Sequence, residues 1–283
     1  MASWENFINR KMIDTTTGDI FVRTKSLRSW QEVKDLLNKF DHNWIFRGQE
    51  DSSWGLQTSL ERWAEKEGYS DYEFFEKIFL EEFKRGAKRY LSSLIHLPEN
   101  TLEWLSLMQH HGCPTRLLDF TKSPYVAAFF ALEDCKENGC AIWCVESNWC
   151  KETAVKNFNK EHIKKEEQIS IVCDFAEERI FKVLFWEDPK AVKMIFPVSP
   201  LYSNERIDMQ QGLFLCQGSN ETFEENVKAM DSFYDYIIKI IISPKVRKEA
   251  IIDLNKMNIN NATLFPGLDG YARSIKNKVW IER

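Results

Sequence analysis

The sequence predicts an α+β fold, and three observations point to it. Capped helical patterns crowd the stretch before residue 112, and β-branched and aromatic runs dominate after it. Beyond residue 165 the helices that would connect successive parallel strands are mostly missing, which disfavours a doubly wound parallel sheet. No repeat and no Pro/Gly/Ser linker interrupts the 283 residues. One domain over 1–283 is therefore expected, with a helical N-terminal portion at about 25–112 and a strand-rich core made of 44–49 and about 113–283.

Each element has a local reason. Ser29 and Glu32 stand at capping-box spacing, and Trp30, Val33, Leu36, Leu37 and Phe40 then recur at helical intervals. Trp44 to Arg47 reads as a strand. Ser70 and Glu73 repeat the box ahead of Tyr72, Phe75, Phe79 and Phe83, predicting a helix to Arg89 whose aromatic stripe is core. Asn100 and Glu103 open a third helix through Leu102, Leu105 and Met108, which Gly112 and Pro114 end. Thr115 to Phe120 follows as a short strand. Ser123 and Pro124 are an N-cap and first-turn pair for a helix through Tyr125, Ala128, Phe129 and Leu132. Further strands are expected at Ala141 to Val145, Ile169 to Cys173, Ile180 to Phe185, Val192 to Pro197, Gly212 to Cys216 and Tyr236 to Ile242. The charged stretch Lys151 to Gln168 reads as a solvated helix or loop. Ser243 and Pro244 cap a helix through Leu254, and a last helix begins near Leu268.

Composition narrows the function. With 43% hydrophobic, 13% aromatic and 29% charged residues, this is an ordinary globular chain. Its 38 Lys and Arg against 43 Asp and Glu leave a net charge of -5, with no general attraction to nucleic acid or anionic membrane. A dedicated DNA-binding protein is therefore disfavoured. The cysteines (Cys113, Cys135, Cys140, Cys144, Cys150, Cys173, Cys216) are odd in number and contain no Cys-x-x-Cys, which predicts reduced thiols, a cytoplasmic setting and no metal. Glu5, Arg10, Lys11 and Asp14 break up the N-terminus, and no run approaches the roughly 18 apolar residues of a membrane span. Neither a signal peptide nor a membrane association is expected.

Three segments are chemically loaded. In Trp44-Ile45-Phe46-Arg47-Gly48-Gln49, alternation sends Trp44 and Phe46 to one face and Ile45 and Arg47 to the other. Arg47 leaves the sheet at its edge, where its five-donor fork suits a phosphate, and Gly48 would let a ligand approach the backbone. A structural ion pair beside a turn glycine is the plainer alternative. In Gln109 to Pro124, Asp119 is expected on a buried strand, fixed by Arg116 or by backbone donors. His110 and His111 end a helix, where the dipole favours them without any catalytic role. Thr121 and Ser123 stand at a helix N-terminus, suited either to an anionic or carboxamide ligand or to capping alone. In Asn204 to Phe214, Gln210 and Gln211 precede a glycine and a strand, and Gln210 can hydrogen-bond a ribose hydroxyl but cannot act as a base.

Together the segments resemble the FRG domain family, named for a triplet such as Phe46-Arg47-Gly48. The resemblance runs through Trp44 to Gln49, Trp54-Gly55-Leu56, Ser59-Leu60-Glu61-Arg62, Gln109 to Ala131, Arg206 to Phe214 and Thr263 to Gly270. It implies a bacterial protein, often in a toxin or anti-phage defence setting. Phe46-Arg47-Gly48, with Phe120-Thr121-Lys122-Ser123 and the downstream Ala127, Ala128 and Phe130, is also similar to ADP-ribosyltransferases of the Arg-Ser-Glu type. That likeness implies a split antiparallel sheet with an N-terminal helical region, and NAD as substrate without a metal. Arg47 would bind its pyrophosphate or ribose, and the Gly48 backbone its carboxamide. Thr121, Ser123, Arg116 and His110 would support the pocket, while Arg47, Gln210 and Ser123 would form the catalytic set. The catalytic Glu of those enzymes is replaced here by Gln210 and Gln211, with Glu205 and Asp208 nearby. An intracellular macromolecule or water would accept the ADP-ribose, and a neutralising partner protein is conceivable in that setting. The alternatives are a non-catalytic nucleotide- or protein-binding module and, more weakly, a nuclease built on His110, His111 and Asp119.

Overall fold

A computed structural model describes residues 23–87, 89–90, 97–161, 181, 184, 192–200 and 205–281. Within them seven strands form one sheet: β1 (Arg23–Leu27), β2 (Trp44–Gln49), β3 (Leu117–Thr121), β4 (Cys140–Glu146), β5 (Ile195–Val198), β6 (Gly212–Gln217) and β7 (Ile237–Ile242). Their order is β1-β7-β4-β2-β3-β6-β5. Only β1 and β7 run parallel, and every other neighbouring pair is antiparallel, so the class is α+β.

The sheet has two halves. β2 pairs with β4 along its whole length, from Trp44↔Glu146 to Gln49↔Ala141, and β3 pairs likewise with β6, from Leu117↔Cys216 to Thr121↔Gly212. Between β2 and β3, however, the ladder holds a single pair, Phe46↔Thr121. Beyond Phe46 the two strands diverge, so the middle of the sheet opens into a cleft.

Helices cover both faces. On one face, α1 (Trp30–Leu37), α5 (Pro124–Glu133) and α10 (Arg247–Lys256) pack with Trp44, Phe46, Ile142 and Ile240 into one core. Beside it, α3 (Tyr72–Ala87) and α4 (Thr101–His110) pack with Leu117, Phe196 and Phe214 into a second core. Phe46 and Thr121 are opposed in the ladder and share a face, so these two cores are the halves of one side. Ile45, Leu118, Phe120, Trp143 and Leu215 point to the other side and form the third core with α6 (Ser147–Glu161) and α8 (Phe223–Lys228). The connecting helices are α2 (Ser59–Glu67), α7 (Glu205–Met209), α9 (Phe233–Tyr236), α11 (Asn261–Leu264) and α12 (Leu268–Ile281).

The capping chemistry explains where helices start. Ser29 and Glu32 form the full capping box of α1, Asn100 caps α4, and Ser123 caps α5 ahead of Pro124. The box expected from Ser70 and Glu73 does not form. Asp71 instead accepts from Phe74 N at 3.1 Å, and Asn220 from a distant loop takes Glu73 N at 2.8 Å. A tertiary partner thus takes the Glu73 donor that Ser70 was expected to satisfy, and a nearer carboxylate takes the next one.

Other expectations shift too. The helix α2 was not anticipated, although Thr58 and Glu61 form its capping box, and edge strand β1 was missed because its polar residues lack an apolar alternation. Ile180 to Phe185 is not a strand where it is described: Phe181 and Leu184 are helical and buried against the second core. Ile169 to Cys173 lies outside the described residues. The start of Lys151 to Gln168 belongs to α6, which buries Thr153, Ala154 and Phe158 rather than being solvated throughout.

Candidate functional site

Past the Phe46↔Thr121 pair, a side chain takes over from the backbone ladder. Arg47 Nη1 donates to the Asp119 carbonyl at 2.8 Å across the opening. The Arg47 side chain is 19% exposed and lies 3.8 Å from the Asp119 carboxylate. Its Nε is buried without a hydrogen-bond partner. Burial holds the Arg47 guanidinium below the usual arginine range and the nearby Arg62 charge adds to that effect, while Asp119 opposes it.

The opening holds a cleft of about 210 Å³ lined by Phe46, Arg47 and Gly48 from β2, Asp119, Phe120 and Thr121 from β3, Phe130 from α5, and Arg206 and Gln210 from α7 and its end. Thr121 fastens the far wall: its hydroxyl donates to the Gln210 carbonyl at 2.6 Å and accepts from Ser123 N at 3.0 Å. Lys122 N donates to the Gln211 carbonyl at 3.0 Å, and Gln211 has a φ of 49°, so the turn into β6 is tightly held. Gln210 donates its amide nitrogen to the Leu264 carbonyl at 2.9 Å, which leaves Oε1 as its acceptor. Arg206 stacks its guanidinium over Phe265, 4.8 Å from the ring centroid.

The structure corrects the expectation for Asp119. It is exposed rather than buried, and it accepts from Gln109 Nε2 at 2.8 Å on the cleft side of β3. Its expected partner Arg116 is elsewhere. Arg116 is buried and its Nε pairs with the buried Glu76, whose other oxygen accepts from Arg116 N at 2.8 Å. That guanidinium is committed to α3 and does not face the cleft.

Gly48 has a different reason from the one the sequence suggested. Helix α5 lies directly on it: a Cβ there would come within 2.6 Å of Ala131 N and closer still to the Ala127 carbonyl. The close approach is by a helix backbone rather than by a ligand. Ser123 caps α5, accepting from Val126 N at 3.3 Å, and lines neither cleft described here. His110 packs edge-on against His111 at the end of α4, 4.9 Å between centroids, also outside both clefts. Burial, His111 and the Arg206 charge hold His110 below its ordinary value. Glu205, Asp208 and Gln211 are exposed residues of α7 and its turn and line neither cleft.

A second and larger cleft, about 640 Å³, adjoins the first and shares Arg47, Gly48 and Phe130 with it. Its other walls include Trp54, Gln57 and Arg62. The sequence held Trp54 and Arg62 in view only as parts of a motif and did not single out Gln57, since nothing local shows that the 54–62 stretch folds back beside β2. Among the described residues no group of three His, Cys, Asp or Glu is placed to hold a metal ion, and no helix is long and apolar enough to cross a membrane.

The family model of the FRG domain matches residues 42–139. Over that stretch the chain is similar to the FRG domain. That match supplies both strands flanking the opening and helix α5 packed on Gly48, but it ends before β4. Arg206 and Gln210 therefore reach the site from outside the matched residues, and the 206–214 and 263–270 segments of the expected resemblance also lie outside them. No curated protein and no solved structure matches the chain.

Proposed function

We propose that the opening between β2 and β3 binds NAD and that the protein is an ADP-ribosyltransferase-like enzyme, passing ADP-ribose to an intracellular macromolecule or to water. The observation that carries this reading is the meeting of Arg47, Asp119, Thr121 and Gln210 where the central ladder stops after one pair. A basic fork with an unused Nε suits a phosphate oxygen.

In the proposed reaction the bond from the ribose C1′ to nicotinamide breaks, nicotinamide leaves with the electron pair, and an acceptor oxygen or nitrogen attacks the oxocarbenium-like carbon and loses its proton. Negative charge beside that carbon stabilises the transition state. Gln210 brings none, but its Oε1 can accept from a ribose hydroxyl. Asp119 is the carboxylate that lines the cleft, and it supplies the charge.

The test is nicotinamide release from NAD by the wild type, Arg47→Ala and Asp119→Asn. Arg47→Ala should lose NAD binding. Asp119→Asn should keep binding and lower kcat by about tenfold or more, because its contribution grows only in the transition state. Equal rates in all three proteins would remove both residues from the chemistry. A binding module without chemistry is the second reading, favoured by a neutral Gln210 whose amide nitrogen is taken by Leu264. A melting temperature raised by NAD with no nicotinamide released would select it.

A further inference from the structure

The larger cleft carries charges of both signs, and they do not balance across it. Every carboxylate lining it meets a cation: Glu50 has Lys136 at 3.3 Å, Glu133 and Asp134 share Lys276 at 3.1 Å, and Asp134 also has Arg247 at 3.8 Å. Arg62 has no such partner, and the carboxylate nearest Arg47, Asp119 at 3.8 Å, lines only the smaller cleft. Arg62 Nη1 donates to the Gln57 carbonyl at 2.6 Å and, among the described residues, meets no carboxylate. Arg47 reaches Asp119 only on the side of the smaller cleft, and its Nε stays unpaired. Both guanidinium groups thus line one cavity, and the Arg62 charge helps hold Arg47 below the usual arginine range. An anion with two or more oxygens would relieve that repulsion and use the free donors.

The same cavity has an aromatic wall. Trp54 is 47% exposed, and its carbonyl accepts from Lys239 Nζ at 2.9 Å, which anchors the backbone that carries the indole. A large ring left open beside paired arginines is suited to a nucleobase, since stacking needs only a π-face.

We propose that this cleft is the subsite for a purine nucleoside diphosphate, with Arg47 and Arg62 on the two phosphates and Trp54 against the base. The proposal rests on the NAD reading above, because Arg47 is shared and the nicotinamide half would then extend into the smaller cleft.

Calorimetric titration of the full chain with ADP, inorganic pyrophosphate and nicotinamide mononucleotide tests it. ADP should bind the wild type, and Arg62→Gln should weaken ADP and pyrophosphate by about tenfold. Trp54→Ala should weaken ADP by about tenfold and leave pyrophosphate unchanged. Both side chains are exposed, so the unliganded melting temperatures should match the wild type. ADP failing to bind the wild type at millimolar concentration, or binding either variant as tightly as the wild type, overturns the subsite. The enzymatic reading fails separately, through absence of nicotinamide release from NAD by a wild type whose ADP binding still depends on Arg62 and Trp54.

Discussion

Arg47 and Arg116 sit on or beside adjacent strands, yet one belongs to a finished network and the other does not. Arg116 is enclosed with Glu76, whose carboxylate accepts from both its Nε and its backbone N–H. Nothing is left over for a ligand. Arg47 reaches one carbonyl, stands 3.8 Å from an exposed carboxylate, and keeps a buried Nε without a partner. A buried charge that is fully paired serves architecture, whereas one left with a spare donor at a cavity is a candidate for function.

The sharpest way to break that comparison is to remove one member of each pair. Glu76→Ala leaves Arg116 buried and uncompensated, and should destabilise the protein by about 3 to 5 kcal/mol in urea unfolding. Arg47→Ala should change the stability of the unliganded protein far less, since its ion partner is exposed and distant. A large loss in Arg47→Ala would make the opening a structural ion pair after all.

Glu61 sharpens the comparison from the acid side, because it is a buried carboxylate held by backbone donors instead of a cation. It accepts from Thr58 N at 2.7 Å and from Phe223 N, joining α2 to α8. Burial nevertheless raises its value from 4.5 to about 7. A folded-state value above the unfolded one means that the folded protein binds the proton more tightly. The associated stability is fully present below pH 4.5 and is lost as the pH rises through about 7. Over that window the wild type should lose on the order of 3 kcal/mol relative to Glu61→Gln, read from parallel urea titrations at each pH. Parallel slopes for the two proteins would show that Glu61 does not titrate there.

Gly48→Ala gives a smaller stability effect than Glu76→Ala. The added methyl meets the backbone of α5, which cannot rotate aside, and overpacking of this kind costs about 1 to 3 kcal/mol. Because α5 carries Phe130 into both clefts, the substitution should also weaken ADP-ribose binding in calorimetry. Unchanged stability would mean that α5 shifts freely on β2.

Much of the fold was legible in local chemistry. Ser29 with Glu32, Asn100 with Glu103, and Ser123 with Pro124 mark helix starts because each side chain satisfies donors within its own turn. Ser70 with Glu73 has the same spacing and failed, since Asn220 arrives from far along the chain to take the donor. The site was legible only in part. Arg47, Thr121 and Gln210 were singled out for their residue types, and the opening does bring them together. Arg116 and Asp119 were paired by proximity in sequence, although both strand register and the position of α3 separate them.

The sequence by itself determined the α+β class, the starts of several helices and the alternation that sends Phe46 and Ile45 to opposite faces, because these follow from contacts within a few residues. Tertiary structure alone decided that the ladder between β2 and β3 stops after one pair, that Glu76 claims Arg116, and that Arg62 and Trp54 fold back beside Arg47. Those outcomes depend on which distant groups reach a buried donor first and on how closely α5 can approach Gly48, and such competition between remote partners has no periodic signature along a chain.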